Sequence, residues 1–170
     1  MENQDFTTTI LVDKTPQDAF DAINNVRGWW SEEIEGFTDL LNSVYYYHYK
    51  DIHLCTIKIA GLVPGKRVVW QVLDNHFNFI ADQTEWVGNL IVFDITPKDD
   101  KTEVKFTHQG LVAGYECFNV CFEAWTNYIQ HSLRNLIETG KGEPNPKEGI
   151  GYNAQLAEKW NLDEQASLNH

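Results

Sequence analysis

The sequence predicts an α+β domain in which a curved antiparallel sheet wraps around one long helix. Runs rich in β-branched and aromatic residues recur through the first two thirds of the chain, and turn residues separate them. One amphipathic pattern of helical period extends from about Tyr115 to Glu138. Because the strands precede this helix and do not alternate with helices, an antiparallel sheet with helices on one face is expected.

The elements nearest the amino terminus are one strand and two short helices. The run FTTTILV, Phe6 to Val12, is β-prone. Thr15 followed by Pro16 is typical of a helix start, because the hydroxyl can cap the first turn and proline fits its first position. That helix should end near Asn24-Asn25, and RGWW at residues 27–30 indicates a second short turn of helix.

Five further strands are predicted before the long helix. They occupy residues 43–50, 53–60, 67–73, 84–96 and 102–108. The fourth of these is unusually long, and Gly88 is expected to form a bulge in it. The polar residues between the last two strands should form the turn of a hairpin.

The long helix is expected to run from about Tyr115 to Glu138, with Gly114 as its cap. At 100° per residue its apolar residues fall on one stripe, which should form one wall of a cavity against the sheet. They are Phe118, Phe122, Trp125, Ile129 and Leu136. Gly140, followed by two prolines, should end the helix.

Composition excludes several classes of function. A length of 170 residues fits one domain, and a formal charge of −12 disfavours nucleic acid and anionic membrane surfaces as partners. The first ten residues lack the pattern of a secretory signal, and no apolar run reaches the ~20 residues of a membrane span. Three cysteines are too few for a disulfide framework, so a cytoplasmic location is expected.

Several strings in the chain resemble one known superfamily. They are NNVRGWWSEEIEG (24–36), LVPGKRVVWQVLD (62–74), TEWVGNLIVFDITPKDDKTEVKFTHQGL (84–111) and the stretch from YECFNVC through TGKGEPNP (115–146). They resemble bacterial SRPBCC proteins, in particular the branch related to Aha-type activators of the heat-shock chaperone ATPase. The resemblance implies a START-like helix-grip fold over residues 1–146, and it leaves residues 147–170 as a polar tail that could be partly helical.

The superfamily's usual activity suggests three hypotheses. The first is a non-enzymatic binding protein, monomeric or homodimeric, that holds a hydrophobic small molecule between sheet and long helix without a cofactor or metal. The second is a module that interacts with a heat-shock chaperone, although the chain lacks the additional amino-terminal domain of the Aha-type activators. The third is a small hydrolase or cyclase, which requires an acid, base or thiol inside the cavity.

Aromatic residues from several predicted elements form the candidate ligand site, and a packed core is the alternative interpretation of the same residues. Tyr47, Tyr128 and His108 are expected to supply polar ends that orient a ligand. Access is expected near the two adjacent tryptophans and through residues 75–83. The whole candidate set is Trp29, Trp30, Tyr47, Trp70, Phe77, Phe79, Trp86, His108, Phe118, Phe122, Trp125 and Tyr128.

Two cysteines and two glutamates are weaker candidates for chemistry. Cys117 and Cys121 lie four residues apart on the predicted helix and could form a soft metal site or, with His108, a nucleophilic pair. A single Cys-x3-Cys motif more often gives buried structural thiols, and neither an orienting group nor an oxyanion site is evident. Glu85 or Glu116 could be a general base only if it faces the cavity.

Overall fold

Six strands form one antiparallel sheet in the computed structural model, which describes residues 4–168. The order across the sheet is β1-β6-β5-β4-β3-β2, so the strand nearest the amino terminus lies at one edge beside β6. This architecture confirms the predicted α+β class. The strands are β1 (Phe6–Val12), β2 (Val44–Tyr49), β3 (His53–Val63), β4 (Arg67–Phe77), β5 (Leu90–Lys98) and β6 (Lys101–Gln109).

The pairing of β3 with β4 bends the sheet. Its register shifts twice, between Thr56 and Ile57 and again between Ile59 and Gly61. Such irregularities leave one residue unpaired and increase the local bend and twist of the strands. The curved sheet can therefore enclose the long helix on its inner face.

The predicted strand over residues 84–96 is wrong in its first part. Residues 84–89 form a turn, and β5 begins only at Leu90. The predicted bulge at Gly88 is present, although it lies just before β5 and not within a longer strand. Gly88 has φ +87°, its N–H donates to the carbonyl of Val72, and the N–H of Val72 donates to the carbonyl of Asn89. Two residues thus oppose one, with a glycine in the left-handed conformation, which is the pattern of a G1 bulge.

The short helices near the amino terminus agree with the sequence. Helix α1 spans Pro16–Asn24, and a single 3₁₀ turn follows at Val26–Gly28. The Thr15 hydroxyl accepts the N–H of Asp18, and the Asp18 carboxylate accepts the N–H of Thr15. This reciprocal cap satisfies two backbone donors that the helix itself leaves free.

The long helix is made of three consecutive segments and begins later than expected. They are α2 (Phe118–Asn127), a π-helical segment (Tyr128–Leu133) and α3 (Arg134–Thr139). Its first residue is Phe118, so Gly114 is not its cap. At its carboxyl end Gly140 adopts φ +83°, the left-handed conformation that commonly terminates a helix.

The π-helical segment changes which face of the long helix is buried. Buried residues recur every fourth position: Cys117, Cys121, Trp125, Ile129, Leu133 and Ile137. In a regular α-helix a spacing of four drifts around the axis, whereas wider π turns keep these residues on one side. The predicted stripe therefore omitted Leu133. It was also wrong at Phe122, which follows the buried Cys121 in α2 and is 48% exposed.

The carboxyl-terminal tail forms two short helices that pack on the sheet and the long helix. Helix α4 spans Tyr152–Lys159 and α5 spans Leu162–Leu168. Their buried residues are Asn153, Leu156, Ala157, Leu162 and Ala166. A domain boundary at residue 146 stays a prediction. Residues 1–3, assigned above to the domain, and 169–170, assigned to the tail, lie outside the described residues.

Between residues 4 and 168, no helix combines the length and the apolar character needed to span a bilayer.

Candidate functional site

A small apolar cavity of about 50 Å³ lies between the inner face of the sheet, the long helix and the tail helices. Pockets for drug-sized ligands usually enclose about 300 to 1,000 Å³, so this cavity has room for only a few water-sized groups. Its lining is aromatic and aliphatic with few polar side chains. It comprises Trp30, Tyr47, Tyr49, Ile52, His53, Phe77, Phe79, Trp86, Val120, Cys121, Ala124, Trp125, Tyr128, Asn153, Leu156 and Leu162.

Seven of the twelve candidate residues line this cavity. They are Trp30, Tyr47, Phe77, Phe79, Trp86, Trp125 and Tyr128. These side chains come from five separate parts of the chain: the 3₁₀ region, β2, the end of β4, the turn before β5 and the long helix. The fold therefore brings together side chains that only their aromatic character connected in the sequence.

Trp29 and Trp70 belong to the packed core behind the cavity. Both are fully buried, and their indole rings stack with centroids 6.1 Å apart. Phe93 contacts both rings edge-on, and the Trp29 indole N–H donates to the carbonyl of Ile23. Trp29 and Trp70 are therefore core residues in this structure and do not line the cavity.

Phe118 and Phe122 do not reach the cavity. Their rings lie 5.8 Å apart, and Phe122 contacts the edge of Phe6 on the strand at the border of the sheet. The start of the helix at Phe118 and the four-residue spacing of its buried face place both phenylalanines to one side of the inner stripe.

His108 is a structural histidine in this fold. It is fully buried, its Nε2 lies 2.9 Å from Oδ1 of Asn89, and its Nδ1 accepts the indole N–H of Trp125 at 3.1 Å. Burial lowers the pKa of His108 to about 3, so the ring is neutral at pH 7. With both nitrogens engaged, His108 neither contacts a cavity ligand nor serves Cys117 as a base.

Nine lining residues were absent from the candidate set, and three of them come from the tail. Asn153, Leu156 and Leu162 form the outer wall of the cavity. The spacing of apolar residues indicated a weak helix here, but the sequence carries no signal for where such a short helix docks. The other six are Tyr49, Ile52, His53, Val120, Cys121 and Ala124.

A network of four polar side chains closes one end of the cavity. The Tyr128 hydroxyl donates to Oδ1 of Asn153 at 2.8 Å, and Nδ2 of Asn153 donates to the Tyr47 hydroxyl at 2.8 Å. Nδ2 of Asn145 donates to the Tyr128 hydroxyl at 2.7 Å. Burial raises the pKa of both tyrosines above the usual value, so both hydroxyls stay protonated.

Glu85 and Glu116 hold backbone groups in place and do not face the cavity. The buried Glu85 carboxylate accepts the N–H groups of Glu116 and Cys117 at 2.6 and 2.9 Å. In return, the Glu116 carboxylate accepts the N–H groups of Ala81 and Asp82, both at 3.0 Å. Each carboxylate is engaged by two donors, which leaves neither placed as a general base.

Cys117 and Cys121 are buried thiols whose sulfur atoms lie 2.7 Å apart. Burial raises the pKa of Cys121 well above the usual value, which keeps the sulfur protonated and poorly nucleophilic. Within residues 4–168, no three side chains of His, Cys, Asp or Glu are grouped closely enough to hold a metal ion.

Comparison with known proteins connects this architecture with solved structures. No family model and no curated protein matches the chain. A structure described as the Aha1 dimer from Colwellia psychrerythraea matches 84% of this chain and 100% of its own, with 23% identity and a TM-score of 0.66. DynU16, from the dynemicin biosynthetic locus, matches 83% of this chain and 49% of its own, with 12% identity and a TM-score of 0.61.

A third solved structure has the same fold. Protein SSP2350 from Staphylococcus saprophyticus matches 82% of this chain and 95% of its own, with 15% identity and a TM-score of 0.60. At these identities the comparisons establish architecture alone. They agree with the SRPBCC and Aha-type resemblance in the sequence, and they identify the fold of the chain as helix-grip.

Proposed function

We propose that the chain binds an apolar small molecule between the sheet and the long helix, and that α4 and α5 move outwards to admit it. The observation that carries this proposal is the composition of the cavity wall. Three layers of the fold present aromatic and aliphatic side chains to one small space, and the outermost layer is the pair of short tail helices. An SRPBCC-like helix-grip fold supports the same class of function.

The energetics of such an exchange are close to balanced. Exposing Leu156 and Leu162 costs about 1.5 to 3 kcal/mol for each side chain. Burying a ten-carbon chain in their place gains about 0.8 kcal/mol per methylene, or roughly 8 kcal/mol, before the cost of ordering the ligand. A ligand of about this size can therefore displace the tail, whereas much smaller molecules gain too little.

Binding is a better proposal than catalysis for this cavity. Two of its lining residues carry chemistry, His53 and Cys121. Burial lowers the pKa of His53 to about 4, and its Nε2 lies 2.7 Å from Oδ1 of Asn75. At neutral pH the cavity therefore offers a weak imidazole base and a protonated thiol, which is a poor basis for the hydrolase or cyclase hypothesis.

A neutral fluorescent probe, N-phenyl-1-naphthylamine, tests the proposal directly. We expect saturable binding to the full chain and its loss in Ala124→Phe, because the added ring fills the cavity from the long helix. Ala60→Phe is the matched control, since it adds the same ring at an exposed position of β3. Unsaturable binding, or equal binding by all three proteins, would contradict a cavity site.

We propose a protein-binding surface as a second candidate function. The loop between the 3₁₀ turn and β2 exposes three apolar side chains, Phe37, Leu40 and Leu41, and Phe37 is 65% exposed. Such a patch suits contact with a heat-shock chaperone or with a second copy of the chain. Stimulation of a purified chaperone ATPase and dimer formation in sedimentation are the two measurements, and we expect Phe37→Ser to reduce whichever effect the wild type shows. If the wild-type protein neither stimulates the ATPase nor dimerises, this candidate function is excluded.

We also propose a cytoplasmic location, since Cys55, Cys117 and Cys121 are free thiols, as expected in a reducing compartment.

A further inference from the structure

We propose that the polar end of the cavity binds a neutral primary carboxamide at the end of an apolar ligand. When α4 is docked, the side-chain amide of Asn153 occupies this carboxamide site. This inference rests on the proposed binding function and narrows its ligand class. It also assigns a role to the tail, in which Asn153 competes with the ligand for the same hydrogen bonds.

Two tyrosine hydroxyls converge on one amide. The hydroxyls of Tyr47 and Tyr128 each lie 2.8 Å from an atom of the Asn153 amide, which presents its nitrogen to one and its oxygen to the other. Tyr128 accepts a hydrogen bond from Asn145, so its own proton is free to point at the Asn153 oxygen. The two hydroxyls thus offer one acceptor and one donor, which is the pattern that a primary amide satisfies.

The docking of α4 depends on the same residues. The backbone N–H of Asn153 donates to Oδ1 of Asn145 at 2.8 Å, and Asn145 in turn donates to the carbonyl of Trp30 at 3.0 Å. Asn145 therefore joins the 3₁₀ region, the long helix and the tail. Because Asn145 is anchored to Trp30, Tyr128 keeps one of its hydrogen-bond partners when Asn153 withdraws.

The cavity favours a neutral ligand. Tyr47, Tyr128 and Cys121 stay protonated and His53 stays uncharged at neutral pH, since burial shifts the pKa of each group against its charged form. None of the lining residues is Lys, Arg, Asp or Glu. Bringing an ionised carboxylate or ammonium into such surroundings costs several kcal/mol without a compensating partner, whereas an amide brings no net charge.

Asn153 also stands between the inner cavity and a second one at the surface. This outer cavity has a volume of about 210 Å³, and Tyr49 and Asn153 line both spaces. Withdrawal of α4 would join them and provide both a route of access and room for a ligand of about ten carbons. The outer cavity is lined by Lys50 and Lys147 and by one acidic residue, Glu33, so an anionic head group finds its cationic partners there and not between the tyrosines.

Three probes that share a ten-carbon acyl chain distinguish these possibilities in the 170-residue chain: decanamide, methyl decanoate and decanoate. Each is titrated against bound N-phenyl-1-naphthylamine. We expect decanamide to displace the probe about tenfold more tightly than methyl decanoate, because only the amide can both donate and accept. Equal affinity of the two would overturn the carboxamide site, and tightest binding by decanoate would overturn it in favour of the lysines.

Two variants separate the carboxamide site from the competing tail. Tyr47→Phe should abolish the preference for decanamide while methyl decanoate still binds, because Tyr47 accepts the amide N–H that the ester lacks, whereas the Tyr128 hydroxyl can donate to the carbonyl of either probe. Asn153→Ala should raise the affinity for both probes by about tenfold and leave their ratio unchanged, and Gln155→Ala, an exposed position on α4, should change nothing. An unchanged affinity in Asn153→Ala would refute competition by the tail.

The failure of the proposed function itself has a different signature. If neither the fluorescent probe nor any ten-carbon compound binds the wild-type chain, the cavity is not a ligand site and the carboxamide site fails with it. If all compounds bind without preference, the cavity binds ligands and only the carboxamide site fails. Wild-type selectivity decides the question even if a variant does not fold, and circular dichroism of each variant establishes whether it does.

Discussion

At the residue scale, two glutamates join the loop before β5 to the start of the long helix. The backbone N–H groups of Glu116 and Cys117 immediately precede the first helical residue, Phe118, and both donate to the buried carboxylate of Glu85. Glu116 is exposed and returns the contact to Ala81 and Asp82. The loop that forms one side of the cavity is therefore fixed by hydrogen bonds to charged groups as well as by packing.

Removing the buried carboxylate should destabilise the chain more than removing the exposed one. We expect Glu85→Ala to lower the free energy of unfolding by about 1 to 3 kcal/mol, because two backbone donors lose a charged acceptor in a buried site. Glu116→Ala is the matched control and should cost less than about 1 kcal/mol, since water can replace its carboxylate. Chemical denaturation measures both; equal losses would contradict the assignment.

The buried histidine makes stability depend on pH. Burial lowers the pKa of His108 to about 3 in the folded state from 6.5 in the unfolded chain. Between these values the unfolded chain binds the extra proton, so this contribution to stability is complete above about pH 6.5 and is lost as the pH falls. At pH 5 the loss from His108 should be about 2 kcal/mol.

A variant without this titration should show a flatter profile. We expect His108→Gln to be less stable at pH 7 but to lose less stability between pH 7 and pH 5 than the wild type does. His48→Gln is the control, since His48 is exposed on β2 and should leave the slope unchanged. Denaturation midpoints across this pH range measure the effect, and parallel slopes for all three proteins would exclude His108 as its source.

At the scale of elements, the position of the long helix was predictable and its buried face was not. Gly140 and the prolines beyond it mark the end of the helix, and Trp125 and Ile129 lie inside as expected. The π-helical segment has no signature in a pattern read at 100° per residue, so Leu133 was not placed on the buried face. Phe122 lies in α2, before this segment, and its ring packs against Phe6 at the sheet edge instead of facing inwards. The stabilising contact that Glu85 makes at the helix start joins residues far apart in the sequence, which periodicity cannot detect.

Docking of the first tail helix depends on a glycine. An added Cβ at Gly151 would overlap the ring of Pro146 and come within 3.0 Å of Oδ1 of Asn145. We therefore expect Gly151→Ala to push the start of α4 outwards, to speed hydrogen exchange of backbone amides in α4 and α5, and to increase the affinity for N-phenyl-1-naphthylamine.

The matched control for this variant is Gly61→Ala in β3. There an added Cβ would lie 3.3 Å from the side chain of Val69, which requires only a small adjustment far from the tail. Exchange in the tail helices should remain at the wild-type rate. If the α4 amides of Gly151→Ala exchange at the wild-type rate, or if the exchange rate rises equally in both variants, the role of this glycine is contradicted.

At the scale of the whole molecule, the tail and the cavity form one system. Strand and helix patterns predicted the α+β class, the SRPBCC resemblance implied the helix-grip fold, and the aromatic residues predicted seven of the side chains that line the cavity. The sequence did not predict that α4 and α5 complete the wall of the cavity. Two short, polar helices are stabilised by the surface on which they pack, and the local sequence does not identify that surface. Any ligand that enters beneath them must therefore compete with their packing.

The protein-binding candidate belongs to this scale as well. Phe37, Leu40 and Leu41 lie in a loop that is held to the sheet edge, where Glu35 and Tyr46 exchange backbone hydrogen bonds. The Arg27 guanidinium also donates to the carbonyls of Ile34 and Gly36. The exposed apolar side chains are thus presented by a fixed backbone, which reduces the ordering cost of contact with a partner.

Native mass spectrometry of the freshly purified 170-residue chain, before and after organic extraction, tests the central claim most directly. We expect a discrete additional mass of a few hundred daltons that extraction removes, or one equivalent of N-phenyl-1-naphthylamine bound after incubation with that probe. The same incubation with Ala124→Phe should give the bare protein mass. A bare wild-type mass under both conditions would contradict a ligand cavity beneath α4 and α5.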